Sequence, residues 1–130
     1  DVLGEKLLIP PERRRVHDAS SRGPGNVCWV EARGARFSPV FTGFGRKRVS
    51  AERVAAEVVE QVVRWQASGA PVDEHLADQL LLPLALAGEG AFRTVAPSLH
   101  TLTNMAVIER FLPVRFSSEQ AGDSWVLKVR

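Results

Sequence analysis

Asp73-Glu74-His75-Leu76-Ala77-Asp78-Gln79-Leu80-Leu81-Leu82-Pro83-Leu84-Ala85-Leu86-Ala87-Gly88 is the stretch on which the fold turns. Asp73 is a residue type that caps helix N-termini with its carboxylate. Leu76 and Leu80 stand one turn apart and predict a core-facing stripe. Pro83 should kink the helix near its middle, and Gly88 and Gly90 stop it. Downstream, Ala91 to Val95 reads as a short strand, Pro97-Ser98 as a turn and Thr101 to Leu112 as a second helix ended by Pro113. Val114 to Ser118 then suits a strand, Gln120 to Asp123 a turn, and Trp125, Leu127 and Val129 alternate along a last strand. The order is helix, strand, helix, strand, strand. No strand directly precedes the first helix, so the first strand of this unit is expected upstream, before an inserted domain.

Residues 1 to 70 form a different unit. Leu7-Leu8-Ile9 could be a short strand stopped by Pro10-Pro11, and Asp18 to Gly25 is turn or loop by composition. Val27, Trp29 and Glu31 alternate with Cys28, Val30 and Ala32, as a half-buried strand requires. Arg33-Gly34-Ala35 can turn the chain into a second strand, Arg36 to Phe44, which Pro39 places at an edge or a bulge. Ser50 is a good N-cap for a helix in which Val54, Val58 and Val62 recur every four residues, and Gly69 ends that helix. Ala70-Pro71 marks a boundary between residues 1–70 and 71–130. Both halves mix helices with strands, so the fold class is α/β, an α+β sandwich.

The chain has 130 residues, 45% hydrophobic and 25% charged, with a formal net charge of +2. That is the composition of a soluble globular protein. No apolar run approaches the ~20 residues that cross a bilayer, so no membrane partner is expected. The first residues, Asp1-Val2-Leu3-Gly4-Glu5, lack the basic and apolar pattern of a signal peptide, and they open in mid-pattern as a processed or truncated chain would. Cys28 is the single cysteine, which leaves no disulfide framework or zinc cluster and fits a reducing, cytoplasmic setting. Arg13-Arg14-Arg15 and Arg46-Lys47-Arg48 are basic clusters able to neutralise phosphates, although runs this short are more often a solvated surface.

Two places could carry chemistry. His75, Asp78 and Gln79 fall at positions i, i+3 and i+4 of the first helix, on one face within a turn. An imidazole and two polar groups so arranged could bind a nucleotide; an exposed helix face with a local His–Asp contact is the plainer alternative. His100 stands where the chain passes from Pro97-Ser98-Leu99 into the second helix. Free backbone N–H groups and the helix dipole there attract phosphate and favour a neutral imidazole, which can attack phosphorus. A histidine that only hydrogen-bonds the helix start is the alternative. The chain contains no Gly-rich loop ending in Lys-Ser or Lys-Thr, no His-Glu-x-x-His and no Gly-x-Ser-x-Gly, and no metal ligands are assigned in it. Gly43-Phe44-Gly45 lacks the third glycine of a dinucleotide fingerprint. His17 lies in a loop with no evident partner.

The stretch Glu74 to Ala87 resembles the helix that carries the Leu-Ala-Asp-Gln-Leu motif of RNA 3'-terminal phosphate cyclases. Pro97-Ser98-Leu99-His100-Thr101-Leu102-Thr103-Asn104, continuing to Ile108-Glu109-Arg110-Phe111-Leu112-Pro113-Val114, is similar to the segment around that family's nucleophile. Arg22-Gly23-Pro24-Gly25-Asn26 and Lys47-Arg48-Val49-Ser50-Ala51-Glu52 resemble its small inserted domain. The resemblance runs from Arg22 to Phe116, with the motifs in the family's order.

The resemblance implies a large domain of repeated α/β units, like those of the translation initiation factor 3 C-terminal domain and EPSP synthase. Residues 1–70 would be most of the inserted small domain, and residues 71–130 the last unit without its first strand. It implies that His100 Nε2 attacks the α-phosphorus of ATP and becomes adenylylated. The adenylyl group would then pass to an RNA 3'-phosphate, and the 2'-OH would close a 2',3'-cyclic phosphate. It further implies ATP contacts from His75, Leu76, Ala77, Asp78 and Gln79, with His75 standing where the family pattern has Tyr. A divalent cation, Mg or Mn, and the N-terminal remainder of the same protein complete the implied partners, and the chain alone would be inactive. Two other readings compete: a non-catalytic relative that binds RNA in ribosome assembly, which would lack the nucleophile, and a plain RNA-binding module resting on the basic clusters.

Overall fold

The computed structural model describes residues 2–34 and 37–130. Among the described residues ten elements follow one another, mixing helices with small antiparallel sheets, and the chain is of the α/β class. Two compact units divide within one helix, between Val63 and Arg64.

The first unit comprises the described residues up to Arg33 together with Val40–Val63. A short helix, α1 (Val2–Lys6), opens it, and a 3-10 turn follows at Pro11–Arg13. The expected strand at Leu7-Leu8-Ile9 does not form. Leu7 and Ile9 instead donate backbone N–H groups back to Leu3 and Gly4 of α1, and Leu8 takes a positive φ of 52°. Those local bonds close the helix, so the segment's backbone donors are already used. Arg14, one of the N-terminal basic cluster, donates Nε to the Ile9 carbonyl at 2.8 Å.

β1 (Val27–Glu31) and β2 (Val40–Phe44) pair antiparallel, with Trp29 opposite Thr42. The alternation expected for β1 is present: Val27, Trp29 and Glu31 are exposed, Cys28 and Val30 half-buried. β2 is shorter than expected; Ala35 and Arg36, where the turn and second strand were placed, lie outside the described residues. α2 (Ala51–Ser68) begins at Ser50, whose Oγ accepts from the Arg53 N–H at 3.2 Å. Its buried positions are Val54, Val58 and Val62, the stripe read from the sequence. Gly43 lets β2 lie against this stripe, because a Cβ there would come within 2.7 Å of Val58 Cγ2. Packing explains that glycine without any nucleotide fingerprint.

Arg46, from the second basic cluster, is tied down: its Nη2 donates to both Glu57 carboxylate oxygens, at 2.8 and 2.7 Å. Arg53 adds an ion pair to Glu57 one helical turn away, at 3.4 Å. The Arg46 hydrogen bond and the two positive charges together hold the Glu57 carboxyl below its ordinary value of 4.5.

The second unit contains Arg64–Arg130 and residues near Pro39. α3 (Glu74–Ala87) is capped by Asp73, whose Oδ1 accepts from the backbone N–H groups of His75 and Leu76 at 2.9 and 3.2 Å. It runs through Pro83 as one helix. Pro83 and Gln79, whose carbonyl the proline leaves without an i+4 donor, are both on the exposed side. Gly88 ends α3 in the left-handed conformation, φ 85°, and donates its N–H to Leu84 and Ala85. β3 (Gly90–Thr94), α4 (Leu99–Phe111), β4 (Phe116–Ala121) and β5 (Ser124–Val129) follow. The three strands form an antiparallel sheet in the order β3-β5-β4.

Among the described residues no strand directly precedes α3, and only an isolated bridge stands there. Val72 makes one parallel bridge to Thr94, with its N–H directed at the Arg93 carbonyl 3.4 Å away. A single bridge carries too little periodicity to be read from sequence. β4 is assigned from Phe116, although Arg115 and Arg130 already exchange both backbone hydrogen bonds, at 2.7 and 3.1 Å, and the Glu109 carboxylate of α4 takes the Phe116 N–H at 2.6 Å. Ala77, Leu81 and Ala85 of α3, Met105 and Ile108 of α4, and Leu127 and Val129 of β5 form one buried cluster. Both helices therefore cover the same face of the sheet, the one that also carries Phe92 and Phe116. No helix among the described residues is long and apolar enough to cross a membrane.

Leu81 is fully buried at the centre of this cluster. Leu81→Ala is expected to destabilise the second unit by about 2–5 kcal/mol, read from its denaturant midpoint, with β1, β2 and their contacts to Val54 and Val58 retained in NMR spectra. For Glu57 the folded value is depressed, so its contribution to stability is complete above about pH 4.5 and is lost as the pH falls through the lowered value. An NMR titration of the Glu57 carboxyl carbon should give a midpoint below 4.5 that moves back towards it in Arg46→Ala. A midpoint indifferent to Arg46 would contradict the ion pair.

Candidate functional site

The lateral packing of α3 on α4 brings three polar side chains to one point. Asp78 leaves α3 one residue after the buried Ala77. His100 and Asn104 leave α4 one turn apart, on the same side of that helix. His100 Nδ1 lies 3.2 Å from Asp78 Oδ1, and Asn104 Nδ2 donates to the same oxygen at 2.9 Å. The His100 side chain is 79% exposed, while that of Asp78 is 26% exposed. The carboxylate is thus set back between the helices and the imidazole stands out in front of it.

The start of α4 is held firmly. Ser98 is the N-cap, its Oγ accepting from the Thr101 N–H at 3.2 Å and lying 3.0 Å from Thr101 Oγ1. Thr101 itself is fully buried. Because Ser98 rather than a later residue caps the helix, α4 begins at Leu99, and His100 sits inside its first turn instead of ahead of it. The first-turn N–H groups remain close by, as expected for a residue that meets phosphate.

The five residues expected to contact ATP divide into two sets. Leu76 packs against the core cluster and Ala77 is 1% exposed, so their side chains face inward. His75 and Gln79 are exposed one turn apart on α3, and Asp78 lies at the edge of that face. The imidazole beside Asp78 is His100 from the other helix rather than its helical neighbour His75. Sequence reasoning gave Asp78 and His100 separate duties and assigned nothing to Asn104. Their meeting depends on how two helices pack, which no local spacing encodes. The only available signal was that Asp78 and Asn104 both belong to the two quoted motifs.

A carboxylate beside Nδ1 favours the tautomer with N–H there, and that tautomer keeps its lone pair on Nε2. Stability is a minor consequence, since an exposed pair contributes about 0–1 kcal/mol. Orientation is the larger effect. An exposed imidazole in the first turn of a helix is chemically able to attack a phosphoryl centre. Among the described residues, no three His, Cys, Asp or Glu side chains cluster closely enough to hold a metal ion.

A family model for RNA 3'-terminal phosphate cyclase matches residues 14–118. The RNA 3'-terminal phosphate cyclases of Salmonella enteritidis PT4, Salmonella gallinarum and Salmonella typhimurium are each 51% identical to this chain over 107 residues. That alignment takes in 82% of this chain and 32% of each relative, so the chain spans about a third of the length of the curated relatives it matches. With the two motifs on adjoining helices and a match across most of its length, the chain belongs to the RNA 3'-terminal phosphate cyclase family.

Proposed function

We propose that these residues are the nucleophile-bearing part of an ATP-dependent RNA 3'-terminal phosphate cyclase, and that His100 is the residue adenylylated. The contact between Asp78 Oδ1 and His100 Nδ1 at 3.2 Å carries this reading, because it leaves Nε2 as the free nucleophilic atom. Nε2 attacks the α-phosphorus of ATP, the P–N bond forms and pyrophosphate leaves. As that bond forms, positive charge grows on the ring and its Nδ1–H turns into a charged donor facing Asp78. The carboxylate stabilises the charge where it develops, the arrangement that favours a transition state over its ground state.

The adenylyl group then passes from Nε2 to an oxygen of an RNA 3'-phosphate, giving a mixed anhydride. The vicinal 2'-OH attacks that phosphorus, AMP departs and a 2',3'-cyclic phosphate remains. Activation supplies the leaving group that a free 3'-phosphate lacks. His75 and Gln79 are placed to contribute to the ATP site from the exposed side of α3, with the imidazole of His75 able to stack on adenine. Residues 1–70 act as the small inserted domain and 71–130 as the last unit of the large domain of a longer, cytoplasmic polypeptide. The remainder of that polypeptide supplies the other phosphate contacts and the ligands of a divalent cation.

The nucleophile is tested by intact mass spectrometry of the full-length polypeptide after incubation with ATP and a divalent metal. One added AMP is expected, absent from His100→Ala. A folded protein that gains no such mass would instead fit a non-catalytic, RNA-binding member of the family acting in ribosome assembly. Asp78 is tested separately by Asp78→Asn, which keeps an oxygen for Nδ1 but removes the charge. Adenylylation at saturating ATP should slow by about a hundredfold, with a smaller change in ATP affinity. A variant that loses affinity and keeps its saturated rate would make Asp78 an ATP contact and nothing more.

A further inference from the structure

Two side chains approach Asp78 Oδ1, and they are unequal. The His100 side chain is 79% exposed and is held at 3.2 Å, whereas Asn104 is half-buried and donates at 2.9 Å. A carboxylate rotates about its last side-chain bond with little resistance. An exposed imidazole that moves with solvent is a poor anchor for it. Asn104 is the better one, because its neighbours fix α4 here: Met105 is buried in the core and Thr101 is fully buried at the capped start. The amide also sits one turn from His100 on the same helix, so it carries the carboxylate in register with the ring it serves.

We infer that Asn104 is the positioning residue of this site: its amide fixes Asp78 Oδ1, which in turn holds His100 with Nδ1 protonated and Nε2 directed outward. This rests on the reading of His100 as nucleophile and adds to it a residue to which neither motif assigned a role. An amide is suited to the task. It donates without titrating, and it cannot take the Nδ1 proton from the ring. A carboxylate at residue 104 would repel Asp78, and an apolar side chain would leave Asp78 free to turn away.

The test uses the full-length polypeptide with Asn104→Leu, which keeps the bulk and removes the donor, and Asn104→Ala in case the leucine disturbs packing. Three quantities are measured: the rate of AMP attachment at saturating ATP, the Kd for ATP, and the ring 15N signals of histidine-labelled protein, assigned with His100→Ala. The expected result is a rate about ten- to a hundredfold lower, a Kd within about twofold of the parent, and His100 signals that shift from a single Nδ1–H tautomer to a mixture. Folded variants with the parent's rate and the parent's tautomer would overturn the inference. So would a loss of rate matched by an equal loss of ATP affinity. A parent protein that takes up no AMP would end the nucleophile reading, but the tautomer comparison would still decide whether Asn104 positions the ring.

Discussion

Everything at the candidate site depends on α3 and α4 lying side by side over one face of the β3-β5-β4 sheet. That packing is driven by apolar burial: Ala77, Leu81 and Ala85 from one helix and Met105 and Ile108 from the other share a cluster with Leu127 and Val129 of the sheet. Small residues at 77 and 85 keep α3 close. The contact joins Asn104 to Asp78 across 26 residues of chain, a pairing that only a formed core can maintain. Polar geometry at the surface is therefore a consequence of apolar geometry beneath it.

The three polar residues add little to stability themselves. An exposed Asp–His pair is worth a small fraction of what burying Leu81 contributes. Their value lies in direction. The core sets the distance between the helices, Ser98 and Thr101 set where α4 begins, and Asp78 then lies against Nδ1 of His100. Each step uses a different kind of interaction, and the weakest of them comes last, at the exposed imidazole. The first unit is built by similar rules from a valine stripe and a glycine that admits it, with Arg46 fastened to Glu57 rather than left free for phosphate.

Much of this was legible in the sequence. The capping residues Asp73 and Ser50, the valine stripe of α2 and the alternation of Trp125, Leu127 and Val129 follow from short-range rules that tertiary contacts did not override. Local reasoning failed where a longer-range or competing bond decided the outcome. Leu7 to Ile9 has strand-forming residues but spends its donors on α1. Val72 makes a single parallel bridge to Thr94, too short a pairing for any alternation to announce. His100 lies inside α4 because Ser98 caps it two residues earlier than the Thr101 start implied. At the site, the two helices and their polar residues could be named in advance, but the joining of Asp78 to His100 and Asn104 could not, since sequence spacing is silent on which turn of one helix meets which turn of another.

The central claim is that Asp78 occupies Nδ1 and leaves Nε2 to react. It is tested most directly by isolating the adenylylated full-length protein with 15N-labelled histidine and observing which ring nitrogen couples to phosphorus. Coupling of 31P to Nε2 of His100, with Nδ1 still carrying its proton, is the predicted result. Phosphorus on Nδ1, or on any residue other than His100, would contradict the account.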